Sequence, residues 1–377
     1  MSSVDLSLQG ILFLPFIALI LLLIHFRYKS YWIDDFLLKL EAKFGTSDKK
    51  IGLFLFTIVI ALIWGFIISS IVFPASDVDE AMTGAIRSYF LDGTNPYLYQ
   101  VVPHILYTNS GHIIKYGTYN YGPIDLLIYG IFYFIFSPFV GNTWWIFVTN
   151  IILVALTYVI MRISLDNKIP HTITLISFLF LFSWFLQDNA VLMCLLLSLA
   201  WFVYNKVDTN YKHSLVTIIL TLAVLTKLYV AFVLLAYFVY VLKKDVYLWI
   251  INGVIGVITT IIIIFPFGIN NVLSSIFLFH VDLSIREGYA TIQGGLPTYL
   301  ELLNLKILFI PLAIILVLIF LYLCEIYAKD QLNLKLAVFT TVNLVLLPSS
   351  GYAFFIIPSF FLLSQYYRNH YVFHPNQ

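Results

Sequence analysis

Apolar runs of about 20 residues, the length that crosses a hydrocarbon core about 30 Å thick, recur along this chain. Their pattern predicts helical spans over 8–26, 51–73, 123–140, 143–162, 172–186, 189–205, 213–242 as one or two pieces, 247–267, 307–328, 333–348 and 352–367. Residues 172–186 reach only about 22 Å at 1.5 Å per residue. A half-helix or paired short helices is therefore expected around Gln187-Asp188-Asn189. The expected class is an all-α integral membrane protein with about 10–12 transmembrane helices.

Lysine and arginine placement orients these spans. Residues 27–50 carry Arg27, Lys29, Lys39, Lys43, Lys49 and Lys50, whereas 74–122 carry only Arg87 and Lys115. The first segment is expected on the cytoplasmic side and the second outside. Lys206 with Lys212, Lys243 with Lys244, Lys329 with Lys335, and Arg368 mark further cytoplasmic turns, which leaves 268–306 outside. Arg162 and Lys168 conflict with a full crossing by every run, so one run between 123 and 205 is expected to cross incompletely. The run 8–26 lacks a basic stretch before it and a small-residue cleavage site after it, and reads as a retained anchor. The expected organisation is an extra span and basic segment in 1–50, followed by one membrane domain over 51–377 with external loops 74–122 and 268–306. No repeat relates the two halves, which disfavours a transporter built on inverted repeats.

Within 74–122, Val78, Met82, Ala85, Ile86 and Tyr89 recur at helical spacing. They predict an amphipathic helix on the membrane surface. Glu80 and Arg87 project opposite the apolar face, with Asp77 and Asp79 on its flanks. Ser76-x-x-Asp79 fits a capping box, and acids in a first turn complement the helix dipole. The same carboxylates are candidates for a general base at the water–lipid boundary. Asp92-Gly93-Thr94-Asn95-Pro96-Tyr97 is a turn signal, and Tyr116-Gly117-Thr118-Tyr119-Asn120-Tyr121-Gly122-Pro123 leads into the next span, with proline suited to a first helical turn. Its tyrosines fit either interfacial anchoring or an aromatic platform for a sugar ring.

Composition narrows the function classes. Of 377 residues 61% are apolar and 10% charged, with a net charge of +1, so nothing points to nucleic acid. Cys194 and Cys324 stand alone in apolar segments and read as buried, inert thiols. No His or carboxylate spacing signals a metal site, and no glycine-rich phosphate loop appears.

In order, a membrane span, the acidic pair Asp79-Glu80 on a surface helix, the Gly93-x-Asn95-Pro96-Tyr97 turn and the Tyr119-x-Tyr121-x-Pro123 entry resemble the GT-C superfamily of membrane glycosyltransferases. The likeness is strongest to mannosyltransferase-like members that use polyprenyl-phosphate sugars. It covers most of the chain from about Ile51, although only 74–123 is rich in motifs. The resemblance implies an inverting transfer of a sugar, mannose being one candidate, from a polyprenyl-phosphate donor. The acceptor would be a lipid-linked glycan, a glycolipid or a protein at the extracytoplasmic face of a membrane, a prokaryotic cell membrane being the expected host. It assigns the base to Asp79 or Glu80, with Asp77 as competitor, and implies no firm cofactor. Arg87, Asn95, Tyr97, Tyr119 and Tyr121 are the candidate substrate contacts of the loop.

Ionisable residues inside apolar runs are costly and are functional candidates. Asp188 and Lys227 qualify, and Lys227 resembles the family's Thr-Lys, where a cation would meet a lipid phosphate. Each could equally mark a turn between short helices. In 268–306, Arg286 could clamp a phosphate, near His280, Asp282 and Glu287. Leu347-Pro348-Ser349-Ser350-Gly351-Tyr352 resembles the family's last external turn. The competing expectation is a multi-pass transporter or lipid flippase with Lys227 and Asp188 in the substrate path.

Overall fold

Helical spacing in 77–90 closes into helix α1 (Asp77–Phe90) in a computed structural model. It describes residues 77–108, 111–142, 144–164, 189–278, 300, 305–328, 332–340, 360, 361 and 364. The expected spans 8–26, 51–73, 172–186 and 352–367, except for residues 360, 361 and 364, lie outside these residues, as do Asp188, Arg286 and the turn at 347–352. The described chain is mostly helical. Helices α2 (Pro123–Val140), α3 (Trp145–Ser164), α4 (Ala190–Lys206), α5 (Lys212–Val224), α6 (Ala231–Lys244) and α7 (Val246–Ile264) follow α1, with α8 (Ile269–Leu273), α9 (Phe309–Ala328) and α10 (Leu332–Thr340) after them.

The first external segment also holds an element that the apolar runs did not announce. Strands β1 (Val102–Thr108) and β2 (Gly111–Gly117) pair antiparallel, in the register Val102 opposite Gly117 and Thr108 opposite Gly111. Helix α1 packs on β1 and on α2. Its apolar face is therefore covered by protein and does not lie outward on a lipid surface: Ala81, Met82, Ala85 and Ile86 are buried. Tyr119 donates its hydroxyl to Met82 Sδ (2.8 Å), and Trp145 donates Nε1–H to Thr83 Oγ1 (3.0 Å). Arg87 stays exposed and Glu80 half-buried on the other side.

The run 213–242 folds as two pieces. Helix α5 ends at Val224, a 3-10 turn covers Leu228–Val230, and α6 returns from Ala231. Each arm is about 20 Å long by helical rise. Helix α5 packs on α4, α6 and α7, and α10 packs on α6 and α9. Two helices, Pro123–Val140 and Val246–Phe267 (α7 continued by a 3-10 turn), are long and apolar enough to cross a membrane. The outer faces of α7 and α9 leave Val254, Val257, Ile258, Ile261 and Ile262, and Ile310, Ile314, Leu318 and Tyr322, exposed. Cys194, in α4, is a buried thiol, as the sequence suggested.

Candidate functional site

The site is organised by the meeting of two helix ends. The start of α2 has backbone N–H groups without intrahelical partners, and the end of α5 has carbonyls in the same position. They satisfy one another: Gly122 N–H donates to Thr226 O (3.1 Å) and Ile124 N–H to Leu225 O (3.3 Å). The positive end of one helix dipole thereby faces the negative end of the other. Only glycine permits this approach, because a Cβ at residue 122 would lie 1.7 Å from Leu225 O.

Lys227 follows directly, at the tip of the α5–α6 hairpin. It sits near the carbonyl end of α5, where a cation is favoured, and its Nζ lies 4.7 Å above the centre of the Tyr121 ring. That spacing is within cation–π range. Lys227 thus lies in the turn between two short helices, and that turn meets Tyr121 of the first external segment.

The extended segment Tyr119–Gly122 is fixed from both sides. Tyr119 N–H donates to Pro96 O (2.8 Å), and Tyr97 O–H donates to Tyr121 O (2.8 Å). Asn95 closes a local turn by accepting from Tyr97 N–H (3.0 Å), and its Nδ2 donates to Phe267 O (2.7 Å), tying the turn to the end of α7. Ser275 donates to Thr118 Oγ1 (2.8 Å). The rings of Tyr97, Tyr119, Tyr121 and Phe267 meet edge to face. Tyr97 and Tyr119 are buried, so neither offers a face to a sugar ring: they brace the segment. Tyr121, half-buried, keeps the contact with Lys227. Asn95 likewise holds backbone together, and Arg87 is exposed.

Asp125 and Asn189 complete the wall and were not singled out from the sequence as a pair. Both are fully buried, and Asn189 Nδ2 donates to Asp125 Oδ2. The available signal was the one that drew attention to Asp188, a carboxylate inside an apolar run, here in the first turn of α2. Burial first, and the Asp125 charge second, push the hydroxyls of Tyr97 and Tyr119 well above the usual tyrosine range. Both therefore stay protonated donors at any physiological pH.

Helix α1 meets this segment through Met82. Asp79 and Glu80 occupy the turn of α1 that contains Met82, and Met82 receives the Tyr119 hydroxyl. Asp77 starts the helix. The Tyr119–Tyr121 segment thus touches α1 at Met82 and carries Lys227 on the Tyr121 ring. Among the described residues no group of three His, Cys, Asp or Glu side chains converges on a metal-sized site. No family model matches this chain, and no curated protein matches it.

Proposed function

We propose that this chain is a multi-pass membrane protein that transfers a sugar from a polyprenyl-phosphate donor to a glycan, glycolipid or protein acceptor at the extracytoplasmic face. Support for the membrane comes from the spans of α2 and α7 and from the exposed apolar faces of α7 and α9, which water would not tolerate over such an area. Support for the chemistry comes from one observation. A lysine held on an aromatic face and the acid-bearing turn of α1 both contact one short segment, Tyr119–Tyr121.

A carboxylate of α1 takes the acceptor's hydroxyl proton as the acceptor oxygen attacks the anomeric carbon. The bond from that carbon to the phosphate oxygen breaks, and polyprenyl phosphate leaves with inversion at the sugar. Lys227 would neutralise charge gathering on the leaving phosphate. A transporter requires its indispensable charge along a span near the bilayer midplane. Contact of Lys227 with Tyr121, in the segment read as external, favours the transferase reading.

The deciding experiment measures release of polyprenyl phosphate from a panel of polyprenyl-phosphate sugars, alongside thermal stability. Asp79→Asn should stay folded and lose about 10²–10⁴-fold in rate, the effect of a positioned base. A lost cap alone costs about 0.5–2 kcal/mol of stability. Loss in Asp77→Asn or Glu80→Gln instead would move the base to that residue. Full activity in all three would end the acid mechanism.

A further inference from the structure

The opposite end of the α5–α6 hairpin carries a second arrangement. The end of α4, the start of α5, the end of α6 and the start of α7 converge there, because α6 passes into α7 through Asp245 alone. Two tyrosines share a hydrogen bond across α4 and α6, Tyr204 and Tyr240, with oxygens 2.6 Å apart. Each ring carries a lysine on its face: Lys212 Nζ lies 4.8 Å from the Tyr204 centre and Lys244 Nζ 4.5 Å from the Tyr240 centre. His213 bonds the Tyr237 hydroxyl through Nδ1 (2.7 Å), and the charges acting on it are those two ammonium groups.

The nearby carboxylates do not neutralise this cluster. Asp245 caps α7 by accepting from the N–H groups of Tyr247 and Leu248 (2.8 and 3.3 Å). Asp208 is exposed in the α4–α5 turn. Neither Lys212 nor Lys244 forms an ion pair among the described residues.

An apolar cleft of about 390 Å³ begins one helical turn beyond Asp245, between α6 and α7, lined by Phe238, Trp249, Ile250, Gly253, Val254 and Val257 with Ile258. A hydrocarbon chain suits such a lining, whose one polar side-chain group is the indole N–H of Trp249. Lys244 directly precedes Asp245 at the turn from α6 into α7, and Lys212 and Lys244 both act on His213.

We propose that this end of the bundle binds an anionic phospholipid, its phosphate held by Lys212 and Lys244 and one acyl chain lying in the α6–α7 cleft. Paired charge and an adjoining apolar slot select a lipid over a soluble anion, which the slot would not help to bind. Basic pockets between spans at the cytoplasmic surface are suited to anionic headgroups. The proposal rests on the membrane placement above and is independent of glycosyl transfer.

The test uses the full chain purified in a neutral detergent, titrated with phosphatidylglycerol, phosphatidylcholine or inorganic phosphate. Bound lipid is read by native mass spectrometry and thermal stability by unfolding. Phosphatidylglycerol should bind about 30-fold more tightly than phosphatidylcholine, the effect of two basic groups at an anionic surface. Lys212→Gln with Lys244→Gln should abolish that preference. Gly253→Leu should weaken both lipids, since a Cβ at residue 253 meets nothing within 4 Å and the added side chain would enter the cleft. Lipid-free unfolding temperatures of the variants, compared with the parent, separate lost binding from lost fold. Equal binding of the two lipids, a preference that survives the double substitution, or stabilisation by inorganic phosphate equal to that by phosphatidylglycerol would each overturn the proposal. Failure of the protein to insert into liposomes would instead overturn the membrane placement.

Discussion

Replacing Gly122 with alanine tests whether the junction of α2 and α5 builds the site. The new Cβ would stand 1.7 Å from Leu225 O, 2.3 Å from Leu225 C and 2.9 Å from Thr226 Cα, all backbone atoms that no rotamer change can move. Restoring van der Waals contact needs a separation more than 1 Å greater at the carbonyl oxygen. The Gly122–Thr226 and Ile124–Leu225 hydrogen bonds, already 3.1 and 3.3 Å, cannot survive that movement. Two bonds at about 0.5–1.5 kcal/mol each, with overpacking at about 1–3 kcal/mol, give a loss of about 2–6 kcal/mol. Lys227 would move with Thr226, and a displacement of about 1 Å in a positioned group costs on the order of 10²-fold in rate. Thermal unfolding and sugar transfer measured on the same preparation read both effects. Two other glycines serve as comparisons. At Gly130 a Cβ would meet the tip of the Phe90 ring at 2.6 Å, which can swing aside, and at Gly253 it meets nothing. Gly130→Ala should cost less than Gly122→Ala, and Gly253→Ala should stabilise by about 0.8–1 kcal/mol through helix propensity. Parental stability and rate in Gly122→Ala would refute the argument that this junction sets the position of Lys227.

Lys227→Met should raise the donor KM with little change in kcat if the phosphate contact is equal in ground and transition states; unchanged kinetics would leave Lys227 a helix-end cation only. Asn189→Ala should lower stability by about 1–3 kcal/mol by removing a donor from buried Asp125. A double-mutant cycle with Asp125→Asn should show coupling above about 0.5 kcal/mol, and additive effects would contradict the pairing. Raised hydroxyl pKa values for Tyr97 and Tyr119 mean that the folded state holds protons the unfolded chain releases above about pH 10. Stability should be flat with respect to these groups below that pH and fall as pH rises beyond it. Tyr119→Phe, although less stable throughout, should show a shallower alkaline decline in melts recorded from pH 8 to 11.

The boundaries of α2, α7 and α9 were legible in the sequence because a long apolar run at helical rise has one economical conformation, whatever surrounds it. The helical period of α1 was legible for the same reason, and so was the turn at Asn95-Pro96, whose residue types bond locally. What covers the apolar face of α1 was not legible, since periodicity reports that a face is apolar and is silent on whether lipid or protein meets it. The hairpin β1–β2 left only a weak trace in Asn109-Ser110-Gly111, because its pairing is made between strands and not within one. Lys227 could be picked out as a charge in an apolar run, but its seat on Tyr121 depends on residues more than a hundred positions apart. Gly122 shows the division most sharply: in sequence it is a glycine before a proline, and only the approach of Leu225 makes its missing Cβ a requirement. Local rules act on neighbours along the chain, whereas the orphan ends of α2 and α5 find each other only once the helices are packed.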